Sequence, residues 1–239
     1  MNPFDANILH FFNQFAQKSE LVDKLIFLIT FNVLIQGGLI LALLWWAWFR
    51  NPQAPARQKE RELILSGAVL AIAGLVVART LAFSLPFRAR PRYTPMLHFR
   101  LPAGSDALEM IHWSAFPSDH AVLFFSLATT LFFVSRRLGI LLYVYVALVV
   151  CLPRIYLGVH FPTDIVVGAI LGSAIASLSL VKSPREFIAL PLLRWRDKSP
   201  GAFYAFAFLS TLMLSTEFES VRTIAFAGWN VVKRLMAAG

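Results

Sequence analysis

Residues 116–164 read FPSDHAVLFFSLATTLFFVSRRLGILLYVYVALVVCLPRIYLGVHFPTD, and their pattern decides the fold. Two apolar runs, Pro117–Ser135 and Leu138–Leu152, are parted by Arg136 and Arg137. Polar strings holding Ser118, Asp119 and His120, and then Arg154, His160, Thr163 and Asp164, close their far ends. A helix of roughly 20 apolar residues crosses a hydrocarbon core about 30 Å thick. If the first run crosses, the shorter second run has to cross back, so both polar strings face the same side of the membrane.

Working outward, the same test marks Leu25–Phe49, Leu63–Leu85, Pro162–Val181 and Gly201–Thr216 as further spans. The first ends in Trp45, Trp46 and Trp48, an aromatic belt at a membrane interface, and the second stops at Pro86. Phe4–Phe15 is interrupted by His10, Asn13 and Gln14 and is expected to lie in the interface. It lacks the charged start and cleavage site of a signal peptide. Val221–Met236 mixes apolar residues with Arg222, Lys233 and Arg234 and reads as a second interfacial helix. The expected fold is all-α: a polytopic membrane helix bundle of about six transmembrane helices, with interfacial helices at both ends. Residues 1–239 form one domain, with no internal repeat and no Gly/Ser linker.

Composition agrees. The chain is 58% apolar and 15% charged, with mean hydropathy +0.66. A soluble domain carries about a quarter charged residues, so an ordinary globule, a disordered chain and a disulfide scaffold are excluded. Cys151 is the single cysteine, which leaves no internal disulfide and no thiolate metal site. The formal charge of +9 fits cytoplasmic loops and anionic headgroups rather than nucleic acid. Loops 50–62, 136–137 and 182–198 hold eleven basic residues against five in 86–116 and 153–161. The first set is therefore expected in the cytoplasm and the polar strings outside, although five more basic residues near the termini weaken the contrast.

Ionisable groups at a membrane boundary are costly unless paired or hydrated, so their clustering points to function. Three strings converge on the outer side: Pro86–Tyr93, Phe116–His120 and Arg154–Asp164. Pro117 and Pro162 suit first helical turns, and the free N–H groups there attract anions. Arg88, Arg90 and Arg154 add planar cations suited to phosphate. His160 is the candidate nucleophile, and Asp164, four residues on, is expected to fix its tautomer. His120 is the candidate acid for the leaving oxygen. This scheme needs neither a metal nor another cofactor.

The chain here resembles the type 2 phosphatidic acid phosphatase superfamily, whose signature is Lys-x6-Arg-Pro, Pro-Ser-Gly-His and Ser-Arg-x5-His-x3-Asp. Arg90-Pro91, Pro117-Ser118-Asp119-His120, and Arg154 with His160 and Asp164 match it across roughly residues 79 to 164. The resemblance implies a six-helix membrane fold and a phosphohistidine at His160, with acid catalysis by His120. It also implies phosphate binding by Arg90, Ser118 and Arg154. Three positions depart: Phe83 stands for the lysine, Asp119 for the glycine and Pro153 for the serine. Arg79 and Arg88 are the candidates to replace the lysine, and Arg88 is nearer the pocket. The Phe-Pro-Ser-Asp-His-Ala form resembles the branch acting on undecaprenyl diphosphate in the bacterial envelope.

The expected activity is metal-independent hydrolysis of a lipid diphosphate or monophosphate, foremost undecaprenyl diphosphate. The expected location is the bacterial cytoplasmic membrane, with the site facing the periplasm or cell exterior. Phosphatidic acid or phosphatidylglycerol phosphate is the alternative substrate. Two non-enzymatic readings are weaker. An ion or proton path would spread ionisable residues through span centres, where Arg79 is the clearest instance, and an inactive relative would not need His120, His160 and Asp164 together. His10, His98, His112, Arg92, Arg100, Asp106 and Glu109 carry no such pattern; loop or headgroup roles suffice for them.

Overall fold

The computed structural model describes residues 2–50, 57–106, 108 and 110–216, and among these every regular element is helical. In chain order they are α1 (Pro3–Asn13), α2 (Glu20–Phe31), α3 (Leu39–Phe49), α4 (Arg57–Ser84) and α5 (Asp119–Val134). Then follow α6 (Arg136–Tyr145), α7 (Leu152–Tyr156), α8 (Pro162–Ser177), α9 (Lys182–Lys198) and α10 (Pro200–Ser215). Among the described residues three helical runs are long and apolar enough to cross a membrane: Arg57–Ser84, Arg136–Tyr156 and Pro162–Leu180. A fourth is added if α2 and Leu34–Phe49, bent by 58°, count as one span. The helices α5 and α10 are apolar but shorter. The expected helix at Val221–Met236, like Glu109, lies outside the described residues.

Several boundaries differ from the sequence reading, each for a local reason. The continuous run expected over Leu25–Phe49 breaks at Asn32, whose extended backbone ends α2. Its side-chain oxygen accepts from Leu34 N and Ile35 N, both at 3.1 Å, and so starts the next helix. The run expected to stop at Leu152 continues to Tyr156. A wide π-type turn over Val146–Cys151 absorbs Pro153, which can neither donate to nor fit an ordinary ladder. Pro117 lies before α5 rather than in its first turn, because Ser118 takes the N-cap and its Oγ accepts from Ala121 N. The loop expected over 182–198 is helix α9 along its whole length.

The helix α5 is the hub, flanked by α4 and α8. Glycine explains how closely α8 lies against it. A Cβ on Gly172 would fall 2.2 Å from Val122 O, and one on Gly168 would fall 2.8 Å from Ser118 O. This small-xxx-small spacing lets two backbones meet where a larger side chain would hold them apart. Ser126 Oγ then reaches Gly172 O at 2.9 Å. The consequence is functional: the N-terminal ends of α5 and α8 are locked side by side, and Ser118 N donates to Asp164 O at 3.2 Å.

Candidate active site

The end of the bundle where α5 and α8 begin also receives α7, the segment after α4, and α1. His160 sits in the tight turn between α7 and α8 and is buried, 5% exposed. That turn is tied to Arg154 O by Val159 N at 2.9 Å and passes through Gly158 at φ +66°. A Cβ on Gly158 would meet the Phe99 ring at 2.6 Å, so both backbone and packing call for glycine.

The ring orientation of His160 follows from one contact. Its Nδ1 lies 2.8 Å from Ala115 O, which can only accept, so Nδ1 carries the proton and Nε2 keeps its lone pair. Asp164 was expected to fix this tautomer. Instead its Oδ2 is 3.9 Å from Nδ1, beyond hydrogen-bond reach. That oxygen accepts from Phe161 N at 2.7 Å, closing the cap of α8. Asp164 therefore acts on the imidazole through its charge. Burial holds His160 below the ordinary histidine range, Asp164 opposes that shift, and Arg90 and Arg154 reinforce it.

The arginines divide into two kinds. Arg90 is buried, with Nη1 donating to Val159 O at 2.9 Å and Nε to Trp113 O at 3.3 Å. Burial draws its pKa down to about 10, Asp119 and Asp164 working against that, so it remains a cation at neutral pH. Arg154, also buried, lies in the middle of α7 and donates to Thr30 O at 3.3 Å and Val150 O at 3.4 Å. Arg88 is engaged differently. Its Nη1 donates to Asp164 Oδ1, its Nη2 to Asp5 Oδ2 at 2.8 Å, and its guanidinium lies 4.1 Å from the Phe161 ring centre. Arg88 is thus held by two carboxylates.

His120 is half-buried in the first turn of α5, its ring centre 6.1 Å from that of Phe124. Its neighbour Asp119 pairs with Arg79, whose guanidinium stands 5.1 Å from the Trp113 ring centre. Phe83 is 79% exposed, so the side chain in the lysine's place points away from the protein. Arg79, one turn earlier on α4, reaches the acid that replaces the signature glycine. Ser118 is fully buried with its Oγ serving the helix cap.

Sequence reasoning missed Asp5, Thr163 as a hydrogen-bonding side chain, and the Ala115 carbonyl. Asp5 left one signal: it is the only acidic residue before Glu20. A backbone carbonyl leaves none. Among the described residues no group of three or more His, Cys, Asp or Glu is disposed to hold a metal ion.

Among known proteins, the undecaprenyl-diphosphatase BcrC of Bacillus subtilis (strain 168) is 28% identical over 163 residues, 68% of this chain and 73% of that protein. The lipid A 1-diphosphate synthase of Escherichia coli (strain K12) is 27% identical over 174 residues, 70% of each. The crystal structure of Aquifex aeolicus LpxE superposes with a TM-score of 0.47 at 24% identity, covering 73% of this chain and 93% of that one. The sequence model of the PAP2 superfamily matches residues 62–187, more than half of the chain and every site residue from Arg79 to Asp164; the chain belongs to the PAP2 superfamily.

Proposed function

We propose that this protein is an integral membrane lipid phosphatase, crossing the bilayer about six times with its site on the outer face of a bacterial cytoplasmic membrane. The observation that carries the reading is the His160 geometry. A buried imidazole has its Nδ1 proton committed to Ala115 O, Asp164 beside it, and Arg90 and Arg154 nearby. In the proposed reaction Nε2 of His160 attacks phosphorus and the bond to the lipid-side oxygen breaks. His120 gives its proton to that oxygen. Water then attacks the phosphohistidine, returns a proton to His120 and releases phosphate. Arg90, Arg154 and the first turns of α5 and α8 bear the charge on the non-bridging oxygens. Neither step calls on a metal or other cofactor.

Undecaprenyl diphosphate is the proposed substrate, supported by the similarity to BcrC and by the Phe116–Ala121 string. The similarity to lipid A 1-diphosphate synthase makes a lipid phosphate acceptor, in place of water, the second reading. The test is a panel assayed with purified protein in detergent and chelator: undecaprenyl diphosphate, farnesyl diphosphate, phosphatidic acid, phosphatidylglycerol phosphate and lipid A. Fastest phosphate release from undecaprenyl diphosphate, inhibited by vanadate and lost in His160→Ala, is expected. Preference for a glycerolipid overturns the substrate, and full turnover by His160→Ala overturns the mechanism.

A further inference from the structure

Asp5 is fully buried although it lies on α1, a helix whose Phe4 and Phe11 are more than half exposed. At the third position of a helix that starts Asn2-Pro3, an acid ordinarily turns back to its own cap. This one does not. Asp5 Oδ1 accepts from Thr163 N at 2.9 Å, and Oδ2 accepts from Thr163 Oγ1 at 2.7 Å and from Arg88 Nη2 at 2.8 Å. Thr163 Oγ1 also accepts from Arg88 Nη1 at 3.0 Å. Arg88 Nη1 continues to Asp164 Oδ1. An unbroken line of polar contacts therefore runs from Asp5 through Arg88 to Asp164, the charged neighbour of His160.

We propose that Asp5 is a positioning residue for the His160–Asp164 pair, acting through Arg88 and Thr163; the proposal rests on the phosphatase reading above. It does two things. Geometrically, it fixes the first turn of α8, which carries Asp164. Electrostatically, it shares the Arg88 cation. With Asp5 present, Arg88 is balanced twice and the group Asp5–Arg88–Asp164 keeps one net negative charge beside the imidazole. Without it, Arg88 cancels Asp164. Other charged and titratable groups at this end of the bundle include Arg90 and Arg154, which act on His160, Asp119, Arg79 and Tyr93, which act on Arg90, Arg92 against the His160 turn, His120, and Asp23 paired with Tyr156 of α7; none of them is removed by the change. The residue lies outside the 62–187 region that defines the superfamily match.

The test compares Asp5→Asn, Asp5→Glu, Thr163→Val and Asn2→Ala with the unaltered chain, using the fastest substrate of the panel and full pH profiles. Asp5→Asn is expected to lower kcat about 10- to 100-fold with KM within about twofold, because small misplacements of reacting groups cost that much. Its acid limb should move to lower pH by about half a unit, since a negative charge near His160 is gone and imidazolium forms less readily. Merely loosening α1 acts with the opposite sign: water reaching His160 relieves its burial and raises the limb. Asp5→Glu should recover part of kcat and the original limb. Thr163→Val should lower kcat severalfold even if Asp5→Asn proves unstable in detergent. Asn2→Ala removes only the α1 cap, where Asp5 N donates to Asn2 Oδ1 at 2.7 Å, and should leave kcat and the limb unchanged. An unchanged kcat in Asp5→Asn, or a limb that rises, overturns the positioning role while His160→Ala remains inactive. Turnover by His160→Ala overturns the phosphatase reading and this proposal with it.

Discussion

The Nδ1 atom of His160 lies 2.8 Å from the carbonyl oxygen of Ala115, and this contact, not the nearby carboxylate, selects the tautomer. Ala115 is itself held, its N–H donating to Arg88 O at 2.9 Å. The proposed nucleophile is therefore aimed by backbone, and Asp164 is left to tune its charge.

The first prediction concerns pH. In the proposed mechanism the neutral imidazole attacks, so activity should fall on the acid side as His160 is protonated. Burial holds its pKa below the ordinary value of about 6.5, so the acid limb of kcat/KM should lie below that pH. Asp164 works in the other direction, favouring imidazolium. Asp164→Asn should therefore move the limb lower still, while cutting kcat by about 100-fold or more as the charge that stabilises the phosphohistidine is lost. A pH series of initial rates on both proteins checks the position and the sign.

The second prediction concerns the α5–α8 seam. Gly172 has Val122 O where a Cβ would need to be, and a backbone atom cannot swing aside as a long side chain does. Gly172→Val should destabilise the protein by about 1–3 kcal/mol and part the two helix starts, so activity falls with stability. Gly201, at the start of α10, has nothing within 4 Å of its would-be Cβ, and Gly201→Ala should be neutral or slightly stabilising. Thermal-shift measurements on the detergent-solubilised pair separate the two outcomes.

The third prediction concerns the opposite end of the bundle. Arg185 is buried in α9, its Nε 3.2 Å from Glu62 Oε2 and its Nη1 donating to Ser179 O and Leu180 O at 3.2 and 3.1 Å. It joins α4, α9 and the 3-10 turn that follows α8. Arg185→Ala strands Glu62 and uncaps those carbonyls, and should cost about 3 kcal/mol of stability. The proposed catalytic end is untouched, so KM and the pH profile of the surviving protein should match the unaltered chain.

These residues also show where the sequence was legible. The helical class, the runs within Leu63–Leu85 and Pro162–Val181, and the turn that carries His160 all follow from patterns confined to a few dozen neighbouring residues. Arg185 reads in the sequence as one more topology-setting charge, because nothing local reveals that Glu62, far away in the chain, is waiting for it. Asp5 fails for the same reason: its local reading is a helix cap, and its partners Arg88 and Thr163 come from other elements. The α2–α3 break was missed because a lone Asn in an apolar run barely changes hydropathy while its side chain can begin a new helix. Long-range polar pairing escaped the sequence; local apolar periodicity did not.

The fourth prediction follows from Asp119, which pairs with Arg79 one residue before His120. An acid here is costly for an anion site, because it repels the phosphate that Arg90 and Arg154 are proposed to attract. Its charge is felt in the pocket, where it helps keep Arg90 protonated against burial. Pairing with Arg79 moderates the repulsion and makes the two residues a unit. Asp119→Gly should therefore free Arg79 and remove the repulsion, so vanadate and product phosphate should inhibit about tenfold more strongly, a change of roughly 1.4 kcal/mol. Arg79→Ala should act oppositely and weaken vanadate inhibition by a similar factor, because Asp119 is then left with less opposing charge. The double variant should return close to the original inhibition constant. Vanadate titrations of all four proteins check this: two opposite single effects that cancel in the double variant are the expected outcome, and a double variant that keeps the full effect of either single change would overturn the charge-balance account.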